Sequence, residues 1–306
     1  MNGLMGAEGP VAPEKITAQV IDRFESTPDP RLRLIMQALV RHLHAFVAEV
    51  ELTEAEWAAG IAALTATGQI TDEKRQEFIL WSDTLGISML VDALAHLAPE
   101  GATESTVLGP FYVADSPLRE YGAEIAEQEA GTPAWVHGRV LDLDGAPIAG
   151  AELDIWQNGD NELYAVQDPE APDDHLRGRF LTDAEGRFAF RAVRPVPYPI
   201  PDDGPVGKML EATGRHPWRP AHIHIVVRAP GFKNLTTHIF DAASDYLGDD
   251  AVFAVKPSLR REFVARDADD PERPVGVEEP WVSLDLDLVL APGEDPGPVA
   301  DLGRTH

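Results

Sequence analysis

The hydrophobic period of the sequence changes near residue 100, and this change limits the fold more than any other feature. From about residue 17 to 98, apolar side chains recur at three- and four-residue steps, as in RLRLIMQALVRHLHAFVAEV, which is typical of amphipathic helices. Later segments such as AWVHGRVLDLDG and WVSLDLDLVL are short, alternate apolar with polar residues and are separated by Gly, Pro and Asp. The pattern predicts a mixed, mainly β chain: helices over 1–100, an antiparallel β-sandwich over 101–292 and a disordered tail over 293–306.

The helical part divides at recognisable start and stop signals. Thr53 is followed three residues later by Glu56, which is a capping-box pattern, and we expect the helix that begins there to end at Gly68. The stretch DEKRQEFILWSDTLGISMLVDALAHL predicts one long further helix that ends before Pro99. On that helix Leu80, Asp83 and Ile87 would share a face.

Composition excludes several classes of function. The formal net charge is −27, from 25 Lys and Arg against 52 Asp and Glu, and so acidic a surface repels nucleic acid and anionic lipid. The chain has no cysteine, which excludes disulfides, thiolate nucleophiles, zinc ribbons and iron–sulfur clusters. The N-terminal segment MNGLMGAEGPVAPEK lacks the features of a signal peptide. No apolar run approaches the roughly 18 residues that span a bilayer. We expect a soluble cytoplasmic protein without a membrane span.

Two histidines lie side by side in WRPAHIHIVV. In an extended strand His222, His224 and Val226 share one face, and both faces are mostly apolar, which indicates a strand buried on two sides. Neutral imidazoles in such a setting each need a partner, and one metal ion satisfies both, although a structural role in the core remains the alternative. The common zinc patterns are absent, since the chain has no H-E-x-x-H motif and no cysteine.

Further ligands would have to come from elsewhere in the chain. Tyr164 follows a turn in WQNGDNELYAV, and Tyr198 lies in PVPYPIP, which is too rich in proline for a central strand. Phenolate with imidazole is a hard, anionic donor set that suits Fe(III) better than zinc, although each tyrosine alone could be a half-buried aromatic with a hydrated hydroxyl. Arg219 precedes the histidine strand and could either form a surface ion pair or face negative charge on a substrate.

These segments resemble a known family. GPFYVADSP, ELDIWQNGDNELYAVQD, GRFLTDAEGRFAFRAVRPVPYPIPDDGPVGKML and GRHPWRPAHIHIVVRAPGFKNLTTHIF occur in the order found in the intradiol ring-cleavage dioxygenases, and the likeness runs from about residue 20 to 290. Within that family YPIPDDGPVGKML followed by GRHPWRPAHIH is most similar to the branch that cleaves hydroxyquinol, with the catechol and chlorocatechol branches as alternatives. Leu108 stands where many catechol enzymes have glutamate, which favours the hydroxyquinol or chlorocatechol branch.

The resemblance implies a site. One Fe(III) per subunit would be held by Tyr164, Tyr198, His222 and His224, with Arg219 and Tyr198 taking part in catalysis. The implied substrate pocket consists of Leu80, Asp83, Val107, Leu108, Gly109, Phe111, Ile200, Pro201, Arg219 and Val252. Asp83 on an apolar face needs a donor, and the third hydroxyl of hydroxyquinol would supply one, unless Asp83 caps or pairs locally.

The resemblance also implies partners. The expected substrates are an aromatic diol or triol and O2, and the expected assembly is a homodimer through the N-terminal helices. Members of the family trap a phospholipid between these helices, and the helical pattern here is compatible with a lipid tunnel or with a plain apolar interface. Two hypotheses from other classes are a transthyretin-like binding module, which GRVLDLDGAPIAGAELDIW also resembles, and a zinc hydrolase that uses the same ligands.

Overall fold

A computed structural model describes residues 12–72, 75–127, 129–267, 269–271, 273–277 and 280–294. Contacts divide the chain into two compact units, Met1–Thr65 and Ala66–His306. Residues 295–306 of the predicted disordered tail lie outside the described residues. The helices are α1 (Pro13–Arg23), α2 (Pro30–Glu49), α3 (Glu54–Ile70), α4 (Glu77–Thr84), α5 (Ile87–Ala95) and α6 (Pro205–Ala212).

The start of α3 follows from its capping box, as predicted. The Thr53 N–H donates to Glu56 Oε2 at 2.9 Å, and the Glu56 N–H donates to Thr53 Oγ1 at 3.3 Å. The predicted end at Gly68 is wrong, because the helix continues to Ile70. Glycine costs a helix only about 1 kcal/mol, and the turn here is closed by a further bond from the Thr71 N–H to the Thr67 carbonyl.

The single long helix predicted after residue 72 is also wrong. Helices α4 and α5 are separate and enclose an angle of 74°. The break lies at Gly86, whose φ of 73° is a left-handed conformation that glycine adopts without strain. Ile87 therefore begins a new helix and does not share a face with Leu80 and Asp83. Among the described helices none is long and apolar enough by itself to cross a membrane, although the bent pair of α4 and α5 passes that test of length and composition together.

The described residues after α5 contain eleven strands. They are β1 (Pro133–Leu141), β2 (Glu152–Trp156), β3 (Arg177–Leu181), β4 (Arg187–Val193), β5 (Tyr198–Pro199), β6 (Trp218–Arg219), β7 (His222–Arg228), β8 (Leu235–Asp241), β9 (Arg260–Arg261), β10 (Val264–Arg266) and β11 (Trp281–Val289). They form a four-stranded sheet (β10-β11-β1-β4), a five-stranded sheet (β3-β2-β7-β8-β9) and the pair β5-β6. The predicted fold class is confirmed, and most pairings are antiparallel; β1–β11 and β8–β9 are parallel.

Strand β7 separates two apolar clusters. Ile223, Ile225 and Val227 pack with residues of β1, β4 and β11, so this cluster fills the space between the two large sheets. Val226, on the opposite face, belongs to a second cluster that contains Tyr164 and Tyr198. His222 and His224 share that second face, as predicted from the alternation. The site therefore lies on the side of the five-stranded sheet that faces away from the sandwich core.

Candidate metal centre

The histidine pair is fully buried, and its orientation is fixed by the surrounding strand and loop. His222 Nδ1 lies 2.7 Å from the carbonyl of Pro220. Because a carbonyl only accepts, Nδ1 carries the proton and Nε2 presents a lone pair. His222 Nε2 lies 3.1 Å from His224 Nε2, and the ring of His224 stacks on Trp156 with centroids 4.6 Å apart. Two imidazole nitrogens thus point at one small region.

Tyr164 brings a phenol oxygen to the same region. Its Oη lies 3.0 Å from His224 Nε2 and 3.5 Å from His222 Nε2. The turn after β2 holds this tyrosine, since its N–H donates to the side chain of Gln167 at 3.1 Å. Phe111 stacks on its ring at 4.6 Å. The predicted ligand from the Asn- and Gly-rich turn therefore meets the predicted ligands from the strand.

Tyr198 and Arg219 are delivered by the short pair β5–β6, in which they are direct partners. Arg219 Nη1 donates to Tyr198 Oη at 3.2 Å and lies 3.2 Å from His222 Nε2. The ring centroids of Tyr198 and Tyr164 are 5.2 Å apart. The structure therefore brings all four predicted metal ligands and Arg219 together in one buried cluster.

Burial sets the protonation of these groups. It lowers the pKa of His222 and His224 well below the usual histidine value, with further lowering by Arg219, so both imidazoles are neutral. Burial and the neighbouring Tyr198 raise the pKa of the Tyr164 phenol well above its usual value, against the opposing effect of Arg219 and Arg177. The imidazole lone pairs converge on one region, and the neighbouring phenol ionises only beside a strong positive charge. Such groups together can act as ligands of a metal ion. The residues present fit such an ion.

His238 belongs to this cluster and was missed by the sequence analysis. It pairs with His224 across β7 and β8, and its ring contacts that of His224 edge-on at 4.2 Å. Ligand atoms of His222, His224 and His238 all lie within 4.8 Å of one another. Burial lowers the pKa of His238 well below its usual value, with contributions from His224, His222 and Arg219. The segment LTTHIFD shows no clear alternation, and only the pairing register places His238 beside His224.

The residues predicted for the substrate pocket surround the same cluster. The buried apolar group that contains Tyr164 and Tyr198 also includes, or packs against, Leu80, Phe111, Ile200, Val252, Val107 and Leu108. A cavity of about 210 Å³ is bordered by Leu80, Phe111 and Pro201. Gly109 lies against His224, since a Cβ added to it would be 3.2 Å from the imidazole Cε1.

Asp83 is the acidic residue predicted for the pocket, and only 4% of it is exposed. Burial raises the pKa of its carboxyl, while the Ser88 hydroxyl and Arg219 oppose the increase. The acid thus lies within electrostatic reach of Arg219, on the last turn of α4. Its role as a pocket residue stays a prediction.

Comparison with known proteins identifies relatives over nearly the whole chain. Residues 107–291 match the family model described as "Dioxygenase", and residues 29–103 match "Catechol dioxygenase N terminus". Hydroxyquinol 1,2-dioxygenase of Rhizobium sp. (strain MTP-10005) is 50% identical over 288 residues, which cover 94% of this chain and 98% of the relative. The 6-chlorohydroxyquinol 1,2-dioxygenase of Cupriavidus pinatubonensis is 49% identical over 277 residues, covering 90% and 96%.

A solved structure is similar as well. Hydroxyquinol 1,2-dioxygenase from Pseudomonas putida DLL-E4 superposes with a TM-score of 0.87 at 51% sequence identity. The superposition covers 92% of this chain and 99% of that structure. The likeness therefore covers both the helices and the β-rich part.

Proposed function

This chain belongs to the intradiol catechol dioxygenase family, and from that premise we propose that it opens the ring of hydroxyquinol (1,2,4-trihydroxybenzene) with O2. Cleavage between the two adjacent oxygen-bearing carbons gives 3-hydroxy-cis,cis-muconate, which tautomerises to maleylacetate. Both atoms of O2 enter the product, so no external reductant is needed. The observation that carries the proposal is the convergence of Tyr164, His222 and His224 beside Arg219, in a chain about half identical to enzymes named for hydroxyquinol.

We propose one Fe(III) per subunit, held by Tyr164, Tyr198, His222 and His224. The support is chemical: two phenol oxygens and two neutral imidazoles form a hard donor set that can become anionic, and such a set favours a trivalent ion over zinc. When bound, the ferric ion would supply Lewis acidity and a template for two adjacent substrate oxygens. The two phenolates would also compensate much of its charge inside a buried site.

The protein groups around the metal would handle protons and charge. A catechol must lose two protons to bind through both oxygens; the Tyr198 phenolate oxygen can accept one of them, and a hydroxide from solvent the other. Arg219 Nη1, at 3.2 Å from Tyr198 Oη, is placed to stabilise negative charge on the phenol oxygen or on the substrate. Its guanidinium is a locally fixed positive charge in a chain with a net charge of −27. This is the local cation that an anionic substrate needs.

The pocket walls would select the substrate. Phe111, Ile200 and Val252 are buried and apolar, so they would exclude water from the ring and pack on its faces. Asp83 would accept a hydrogen bond from the third hydroxyl of hydroxyquinol, which catechol lacks. Catechol cannot make that bond, so the site would disfavour catechol.

The assembly proposed is a homodimer through the helical segment. On α2 five exposed apolar side chains follow the helical repeat and form one stripe, Leu32, Ile35, Leu39, Leu43 and Phe46, while the exposed Leu34 lies on the other side of the helix. A continuous apolar stripe on a surface helix is typical of an interaction site. The family resemblance supports a second copy of the chain as the partner, with a phospholipid at the interface.

The metal proposal is tested by colour. Tyrosinate ligands give Fe(III) an intense visible absorption, so we expect a red protein with one iron per chain. Tyr164→Phe and Tyr198→Phe should each change the visible band and lower activity by more than about 100-fold, the upper range for residues that only support a ligand. Tyr121→Phe is the matched control, because Tyr121 is 57% exposed and should leave band and activity unchanged. A colourless, iron-free protein with intact fold and no oxygen uptake would contradict the proposal.

A further inference from the structure

Asp250 is a buried carboxylate outside the proposed ligand set and outside the predicted pocket. It is only 4% exposed, and it accepts hydrogen bonds from Arg219 Nε at 3.1 Å and Arg219 Nη2 at 3.5 Å. Within the described part of the chain, this is the only ion pair of Arg219. Both edges of the guanidinium are therefore in use: one faces Asp250, and Nη1 faces Tyr198 and His222.

The carboxylate of Asp250 is itself held by backbone. Its Oδ1 accepts from the Val252 N–H at 3.3 Å, and its Oδ2 accepts from the Ala254 N–H at 3.0 Å. The N–H of Ala251 donates to the carbonyl of Trp218, next to Arg219, at 3.1 Å. These bonds fix the acid against the strand that carries Arg219, and they shape the turn that presents Val252.

A second arginine connects this turn with the helix that carries Asp83. Arg215 donates to the carbonyl of Ala251 at 3.0 Å and to the carbonyl of Thr84 at 2.7 Å. The turn after Asp250 and the end of α4 are thus joined on the same side of the site. Movement of one segment relative to the other would break these bonds.

We infer that Asp250 is a positioning residue: it orients the Arg219 guanidinium toward the reacting oxygens. The inference rests on the proposed ring-opening function. Asp250 does not touch the substrate, and it acts through Arg219. The planar guanidinium has donors on two edges and suits this arrangement. One edge can be anchored by a carboxylate while the other edge donates to the reacting oxygens.

Removal of the Asp250 charge should therefore misdirect Arg219. The guanidinium would remain buried and charged without its ion-pair partner. Without that anchor the guanidinium would be free to rotate, and Nη1 would leave Tyr198 and His222. Substrate binding through two oxygens would persist, while charge that develops during the reaction would lose its stabilising partner.

The test compares Asp250→Asn with Asp249→Asn. Asn keeps the shape and one acceptor for the turn, and Asp249 is a matched control because it is adjacent, 66% exposed and paired only with His216 among the described residues. For Asp250→Asn we expect kcat to fall about 100-fold, the loss typical of a small misplacement of a reacting group. Anaerobic substrate affinity, iron content and the visible band should be nearly unchanged. Asp249→Asn should match the parent protein in every readout.

A second comparison repeats the Asp250 substitution in a variant that lacks Arg219. Asp250→Asn should cost no further activity in an Arg219→Met background, because a positioning residue has nothing left to position. Arg219→Met/Asp250→Asn also removes both charges of the pair, so it tests the inference even where Asp250→Asn alone fails to fold. Equal losses from Asp250→Asn with and without Arg219, or no loss beyond that of Asp249→Asn, would overturn the inference. A parent protein inactive on all catechols would instead overturn the proposed function.

Discussion

A single hydrogen bond decides which nitrogen of His222 is available to a metal. The Pro220 carbonyl fixes the proton on Nδ1, and Nε2 is left facing His224 and Tyr164. Proline is well placed for this role, because it has no N–H and its own conformation is restricted. The R-P-A-H-x-H sequence thus contains the ligand, the group that sets its tautomer and the arginine beside it.

At the same scale, Asp83 should control the choice between substrates. Asp83→Asn and Asp83→Ala remove the charged acceptor for the third hydroxyl, so kcat/KM for hydroxyquinol should fall about 10- to 100-fold more than kcat/KM for catechol. Catechol serves as the internal control, because it lacks that hydroxyl and reports any general damage to the site. Equal losses on both substrates would show that Asp83 has a structural role.

At the scale of elements, the site depends on a regular strand and several irregular loops. Alternation in β7 was enough to predict that His222 and His224 share a buried face, because a strand fixes side-chain direction. The contact between Arg219 and Asp250 spans 31 residues, and the contact between His238 and His224 depends on register. Tertiary pairing decides both, so the sequence pattern could not supply them. The break between α4 and α5 was missed because one glycine in a strongly apolar, helical stretch is compatible with a continuous helix.

The loop at Gly109 offers a test at this scale. Gly109→Ala places a methyl group 3.2 Å from the His224 ring at a residue with φ of 79°, so the ring must shift. Gly145→Ala is the matched control, since its φ is 80° and nothing lies within 4 Å of the added carbon. Both variants should lose about 1–2 kcal/mol of stability from the left-handed backbone. Only Gly109→Ala should also change the visible band or the iron content, and identical spectra would contradict this account of the loop.

At the scale of the whole molecule, the apolar stripe on α2 predicts self-association. Leu43 is 52% exposed on that stripe, and Leu43→Glu should shift the protein from dimer to monomer in sedimentation experiments, because it buries a charge in an apolar contact. Arg41→Glu lies on the opposite side of the helix and should leave the dimer intact. A parent protein that sediments as a monomer at micromolar concentration would contradict the proposed assembly.

The central claim is that this chain opens the ring of hydroxyquinol, and oxygen uptake tests it most directly. With the iron-loaded protein, hydroxyquinol should consume one O2 per molecule and yield 3-hydroxy-cis,cis-muconate. The kcat/KM for hydroxyquinol should exceed that for catechol by at least about 10-fold, as expected for a site that bonds the extra hydroxyl. Absence of oxygen uptake with hydroxyquinol, or a higher kcat/KM for catechol, would contradict the account.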